Sequence, residues 1–280
     1  MEWNDKGFLI EKKRYNENSL LAEIYTENHG KVVGLIFGAT SKKIKGYLEL
    51  GNFLHVNYKY KNDNKIGYFN IEILNAYSAL YFENKKKLFC ILSVVNLIKV
   101  LSAEQQSNKS IFLLIKKFYE ILKLEKHWIS EYIFWELELL KHFGYDLDLN
   151  KIVSKDEFKD KSIYSVKRNN TIKYVPSFLV ENKKKNIEYK ELLKGLRLVD
   201  DYMIKSIFNP NNIDGISNLN KKKFSFSAIA NFRAENINEY LNNLLGKNIK
   251  SIVFHPYLQN IEKNDWEKCI KFAKIAESLG

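Results

Sequence analysis

The sequence predicts an α+β fold: a small N-terminal β structure, then a helical region, then a tail in which strands and helices alternate. Three observations carry this reading. Apolar residues alternate with period two between residues 7 and 79, the period lengthens to about 3.6 after Tyr81, and a β-α-β-α pattern returns after residue 216. The expected domains are 1–80, 81–215 with a polar insert near 150–187, and an extension over 216–280.

In the first domain, Gly7-Phe8-Leu9-Ile10, Ser19 to Thr26, Lys31 to Ala39, Phe53 to Lys61 and Ile66 to Ala79 are rich in β-branched and aromatic residues. Asn28-His29-Gly30 and Asn62-Asp63-Asn64 supply turns between them. Five such strands suit a small barrel of the OB type, and an SH3-like barrel gives nearly the same pattern. On Phe53 to Lys61, alternation sets Leu54, Val56, Tyr58 and Tyr60 toward the core.

Helical periodicity follows. Leu88, Ile91, Leu92, Val95 and Ile98 define one face, and Ile111, Leu114, Ile115, Phe118 and Leu122 another. Ile129 to Phe143 is apolar on nearly all sides, which suits a helix at the centre of a bundle, and Gly144 supplies its stop. Residues 150 to 187 read as an inserted loop or hairpin, and Leu192, Leu196, Val199, Met203 and Ile207 form a last stripe before Asn209-Pro210. In the tail, Phe224 to Ile229 and Ile249 to Phe254 are expected strands, each followed by a helix, the second with Asn264 as N-cap and Glu267 placed for a capping box.

Composition narrows the chemistry. The longest charge-free apolar run, Leu88 to Ile98, falls well short of the roughly 20 residues of a membrane span. The start, Met1-Glu2-Trp3-Asn4-Asp5, lacks the features of a secretory signal, so the expected compartment is the cytoplasm. Cys90 and Cys269 are expected as free thiols, Cys90 in a core role. Against 33 Asp+Glu stand 45 Lys+Arg, a net charge of +12, and Lys31 to Lys65 holds seven lysines with only Glu49 and Asp63 as acids. Such a balance suits a polyanionic partner or simply a solvated surface. Within it, Lys42, Lys43 and Lys45 lie in the Gly38 to Gly46 connection, where a flexible loop would let ammonium groups follow phosphates without reading sequence. With Arg14, Lys31, Lys59 and Lys61 they make up the candidate nucleic-acid-binding set.

Catalytic patterns are scarce. Gly30-Lys31-Val32 and Gly246-Lys247-Asn248 lack the rest of a phosphate loop, and no cysteine or histidine spacing supports zinc. Glu136 and Glu138 lie two apart on one helix and point in different directions, so they are read as one core and one solvated carboxylate. His127 and His142 bracket that helix as terminal or core residues, while His255 at an expected strand end has no placed partner. No catalytic residue, metal or cofactor is expected.

Several segments, in order, resemble the RecO family of DNA repair proteins. They are Arg14-Tyr15-Asn16-Glu17, Tyr25-Thr26 through Gly30-Lys31, Gly38-Ala39-Thr40-Ser41-Lys42, Leu48-Glu49-Leu50-Gly51, Phe134 to Leu140 closing at Gly144-Tyr145, Val175-Pro176-Ser177-Phe178-Leu179 and Gly195-Leu196-Arg197-Leu198. The resemblance covers residues 1 to about 208. It implies an OB-fold, a helical domain, and a recombination mediator that binds single- and double-stranded DNA, anneals complementary strands and helps load the RecA recombinase onto DNA coated by single-strand-binding protein. It also implies RecR and the acidic tail of single-strand-binding protein as partners. Lys190, Lys194 and Arg197, with Lys183-Lys184-Lys185 nearby, are the expected basic rim for that tail.

Two departures stand out. Many members carry a cysteine zinc site soon after the Gly-Tyr that closes the central helix, and no cysteine lies around Ile152 here. Residues 216–280 show no family motif. The competing readings are a general RNA-binding module and an enzymatic activity in the tail around His255.

Overall fold

A computed structural model describes residues 2–60, 66–158, 161–168 and 171–211. Lys61, Cys269, His255 and all the elements expected in the tail lie outside the described residues.

The N-terminal part is a strongly curved five-stranded sheet. Strands β1 (Glu2–Arg14), β2 (Ser19–Thr26) and β3 (Gly30–Phe37) form two successive hairpins, and β4 (Phe53–Lys59) and β5 (Gly67–Asn75) a third. The strand order is β1-β2-β3-β5-β4, with β4 paired back to β1 from Glu2↔Lys59 to Phe8↔Phe53. Strand pairing between β3 and β5 is parallel and confined to Gly34↔Gly67 and Leu35↔Tyr68. Past that point β3 ends, and a short helix, α1 (Lys42–Tyr47), packs against β5 with Ile44, Tyr47 and Leu48 on the sheet's interior. The expected OB-type barrel is therefore corrected. Ladder hydrogen bonds do not shut this sheet along its length, because the junction is two residue pairs long and a helix covers the rest.

The same helix corrects a second expectation. Lys42, Lys43 and Lys45 do not lie in a flexible loop: Ser41 caps α1 by accepting a hydrogen bond from the Ile44 amide, and the backbone turns helical at the first lysine. Strand β1 also begins five residues earlier than the apolar alternation suggests. Its first half is outwardly polar, and the buried member at Asp5 accepts hydrogen bonds from the Asn28 amide (2.9 Å) and side chain (3.0 Å).

The following part begins with α2 (Tyr77–Leu80), α3 (Lys85–Leu101), α4 (Lys109–Lys123) and α5 (Trp128–His142). Asn84 caps α3 and Asn108 caps α4 through side-chain oxygens, at about 1 kcal/mol each. Helix α5 occupies the centre as expected, with Tyr132, Ile133, Trp135, Glu136, Leu139 and Leu140 buried. Its end is a Schellman turn: the Tyr145 amide donates to the Leu140 carbonyl (2.9 Å) and the Gly144 amide to Lys141 (3.0 Å), with Gly144 at φ +86°.

Next come α6 (Leu149–Ile152), an antiparallel sheet β6-β7-β8 (Ser154–Phe158, Lys161–Arg168, Thr171–Val175), α7 (Ser177–Val180) and α8 (Tyr189–Met203), which runs into a π-helical turn, Ile204–Phe208. The region expected to be helical thus contains a second sheet where a loop or hairpin is expected. Leu192, Val199, Met203 and Ile207 are buried, as the stripe requires.

Two cores result. Leu9, Ala22, Ile24, Val32, Ile36, Leu54, Val56, Phe69 and Ile71 fill the curved sheet. Phe8, Ile10 and Tyr25 leave its other side and join the helices in a larger core. Desolvation there pushes the Tyr25 phenol up to about 12. At the margin of this contact Glu11 pairs with Glu23 across the ladder. Burial pushes the Glu23 carboxyl up, reinforced by the hydrogen bond to Glu11 and its charge. Burial opposes ionisation of Glu11 too, but hydrogen bonds from Lys99 (2.6 Å), Glu23 and Lys13 outweigh it and hold Glu11 below the ordinary carboxylate range.

Candidate nucleic-acid interface

Helix α1 presents Lys42, Lys43 and Lys45 to solvent, and none of the three has an ion-pair partner among the described residues. Many other lysines are committed: Lys12 to Glu49 (3.3 Å), Lys99 to Glu11 (2.6 Å), Lys117 to Glu138 (2.6 Å) and Lys184 to Glu131 (2.9 Å). Uncommitted ammonium groups can meet a phosphate without first giving up a carboxylate.

The rest of the expected set divides. Arg14 is exposed at the end of β1, where its Nε donates to the Asn16 carbonyl (3.3 Å) in the hairpin next to α1. That hairpin touches the α1 turn directly, since the Ala39 amide donates to the Asn18 carbonyl (3.1 Å) and Thr40 bonds the Asn18 side chain (2.5 Å). Lys31 is placed elsewhere: it is half-buried, and its Nζ donates to the Lys99 carbonyl (2.9 Å), linking sheet to α3. Lys59 pairs with Glu2 (3.2 Å), whose carboxyl is held below its usual range by hydrogen bonds from Asn57 and Lys59.

Two aromatic rings share this end of the sheet. Phe37 closes β3 opposite Ser19, and Tyr68 lies across the short junction beside Leu35. They are 56% and 36% exposed, with ring centroids 5.7 Å apart. The sequence reading missed both. The available signal was phase: Val32, Gly34 and Ile36 are buried, so Phe37 falls on the outward set. Tyr58 and Tyr60 do not supply such rings, because Tyr58 is held inward, donating to the Val33 carbonyl (3.1 Å) and accepting from the Gly67 amide (3.0 Å), and the half-buried Tyr60 lies tilted against it with ring centroids 5.7 Å apart.

A second basic surface lies around a cavity of about 660 Å³ between α6, β7-β8 and α8. Its floor includes Leu149, Val166, Val175 and Leu198, and Lys173, Lys194, Arg197 and Lys205 stand on its rim. Arg197 and Lys194 are thus brought together with two lysines that sequence reading did not single out. Lys190, at the start of α8, does not line the cavity, nor do Lys183, Lys184 and Lys185. Lys173 is bonded to Asp201 (3.1 Å) and Lys194 to Glu191 (2.6 Å), so Arg197 and Lys205 are the rim cations with no ion pair among the described residues.

The groups read as structural sit accordingly. Cys90 is a buried thiol outside any disulfide, Glu136 is buried and accepts from the Tyr132 hydroxyl, and Glu138 is at the surface with Lys117. His127 is the residue before α5 and His142 its last. Asp146 and Asp148, after the Schellman turn, are bonded to Lys141 (3.0 Å) and Lys151 (2.9 Å), and with no thiol among them these residues do not fit a cysteine zinc site. Among the described residues no group of three His, Cys, Asp or Glu side chains is arranged to hold a metal, and no helix is long and apolar enough to cross a membrane.

Comparison with known proteins bears on the whole of this part. Residues 1–77 match the family model described as Recombination protein O N terminal, and residues 83–201 the one described as Recombination protein O C terminal. The chain is 27% identical over 223 residues to the DNA repair protein RecO of Rickettsia canadensis, covering 75% of this chain and 91% of that one. It is 28% identical over 221 residues to that of Rickettsia bellii, covering 75% and 90%. For Rickettsia rickettsii the identity is 33% over 152 residues, or 54% of this chain and 63% of the relative. A solved asparaginyl-tRNA synthetase of Entamoeba histolytica aligns at a TM-score of 0.23 and 11% identity, over 96% of this chain and 70% of that one, a level from which nothing is drawn. With both family models matched in order over most of its length, this chain belongs to the RecO family, whose general role is that of a recombination mediator.

Proposed function

We propose that this chain mediates recombinational DNA repair by binding single- and double-stranded DNA through the α1 end of its N-terminal sheet, annealing complementary strands, and assisting the loading of the RecA recombinase onto DNA coated by single-strand-binding protein. RecR is a partner in this reading. The observation that carries it is the trio of uncommitted lysines on α1, held by a capped helix beside Arg14. Annealing requires no bond to break. It requires cations that offset repulsion between two phosphate backbones while the bases remain free to pair, and lysines do this without preference for sequence.

The decisive test is a Lys42→Ala/Lys43→Ala/Lys45→Ala variant in DNA binding across a salt series. Loss of three phosphate contacts lowers the steepness of log K against log salt for single strands by about 2. An unchanged slope moves the DNA elsewhere, and a strong preference for RNA of matched sequence without annealing of DNA favours a general RNA-binding module.

The cavity beside α8 suits the acidic, apolar-ended tail of single-strand-binding protein: apolar residues form the floor and Arg197, Lys194, Lys173 and Lys205 the rim. In a Lys194→Glu/Arg197→Glu variant, the affinity for an acidic peptide ending in an apolar residue falls about tenfold or more. Fluorescence anisotropy of the labelled peptide measures this, and undiminished binding removes the cavity from consideration.

A further inference from the structure

The lysines of α1 explain attraction to any nucleic acid, but they do not distinguish an open strand from a duplex. We propose that Phe37 and Tyr68 do: they form a platform on which an unpaired base stacks while the α1 lysines hold the adjoining phosphates. This rests on the reading above that DNA binds at this end of the sheet.

Both rings stand on the outer side of the sheet at the β3–β5 junction, exposed, 5.7 Å apart and tilted. Leu35 lies beside them, and Ile66, 60% exposed, precedes β5. An exposed apolar cluster of this kind is costly to leave in water and marks a place where something docks. Charge complementarity selects the occupant. Lys42 lies five positions after Phe37, a reach of at most about 18 Å even if fully extended, and α1 turns back to pack against β5, the strand that carries Tyr68. Aromatic faces next to unpaired cations match a polymer with flat π-faces and regular negative charge. An acidic peptide would supply charge without stacking partners. A duplex would supply phosphates but keep its bases stacked on one another, so only an open strand uses both halves of this surface.

The test is a Phe37→Ala/Tyr68→Ala variant of the full chain, titrated with a labelled thymidine oligonucleotide and with a duplex of equal length at one salt concentration. The expected result is a loss of roughly ten- to a hundredfold in single-strand affinity with duplex affinity held within about twofold. Equal losses on both substrates, or no loss on either, overturn the proposal. Both residues are exposed, and an unchanged melting curve verifies that the fold survives. The Phe37→Trp variant gives an independent readout: its added indole emission is quenched by the oligonucleotide and not by the duplex, and an indifferent signal also overturns the proposal. Failure here is separable from failure of the DNA-binding reading. If the triple lysine variant weakens both substrates while the aromatic variant binds like the parent chain, the phosphate site stands and the stacking platform falls.

Discussion

Trp135→Ala is expected to destabilise the folded chain by about 3–5 kcal/mol. The indole is 1% exposed in the middle of α5, against Phe118 (5.1 Å between ring centroids) and Tyr132 (6.0 Å). Its Nε1 donates to the Leu114 carbonyl (2.8 Å), which belongs to the helix that packs beside it. Truncation therefore opens a cavity between α4 and α5 and leaves a buried carbonyl without that donor, and the two losses reinforce each other. In a chain of this size the midpoint of thermal unfolding should drop by on the order of 10 °C. Trp135→Phe keeps most of the ring and loses only the donor, so its effect should be clearly smaller. Equal effects of the two variants would mean that the hydrogen bond, and not the ring, holds the helices.

The second large effect is expected at Gly51→Ala, a change of one methyl group. Gly51 has φ +86°, and a Cβ there would lie 2.5 Å from Ile91 Cγ2 and 2.8 Å from the Tyr119 hydroxyl oxygen. Left-handed backbone costs about 1–2 kcal/mol for a residue with a Cβ, and overpacking adds about 1–3 kcal/mol. The position cannot drift to relieve the collision. Its amide donates to the Leu9 carbonyl (2.8 Å), and its carbonyl accepts from the buried Tyr119 hydroxyl (2.6 Å). Tyr119→Phe provides the control, since it removes that hydrogen bond without a clash and should cost about 1 kcal/mol. Chemical denaturation of both variants checks the order. Gly51 closes one of the segments that carry the resemblance to RecO, and its geometry supplies a physical reason for a glycine there.

What could be read from the amino acids followed the strength of each element's pattern. Helix α5 was legible because burial on nearly every side leaves an unbroken apolar run, and Gly144 marks its end through a backbone shape that few other residues adopt. Glu136 and Glu138 divided into buried and surface positions because two steps along a helix rotate a side chain off its face. Helix α1 was hidden: six residues are too few to establish a period, and its clearest mark, Ser41 ahead of the lysines, reads equally well as a polar loop. The β6-β7-β8 sheet was obscured for a related reason, as Ile172, Tyr174 and their polar neighbours face water and the alternation that marks a half-buried strand is faint. The candidate lysines were visible as a cluster, but which cations are free was not, because Lys31 and Lys59 find partners that lie 68 and 57 positions away in sequence or directly across the ladder.

Strand β1 carries alternate side chains into two different interiors, Leu9 into the curved sheet and Phe8 and Ile10 among the helices. The sheet is consequently no detachable head. Severing the polypeptide after residue 80 would strand Phe8, Ile10, Tyr25 and Phe53 in water and strip Lys31 of its helical carbonyl. Amide protons of β1 and α3 should then be protected to a common depth, as belongs to parts that melt together.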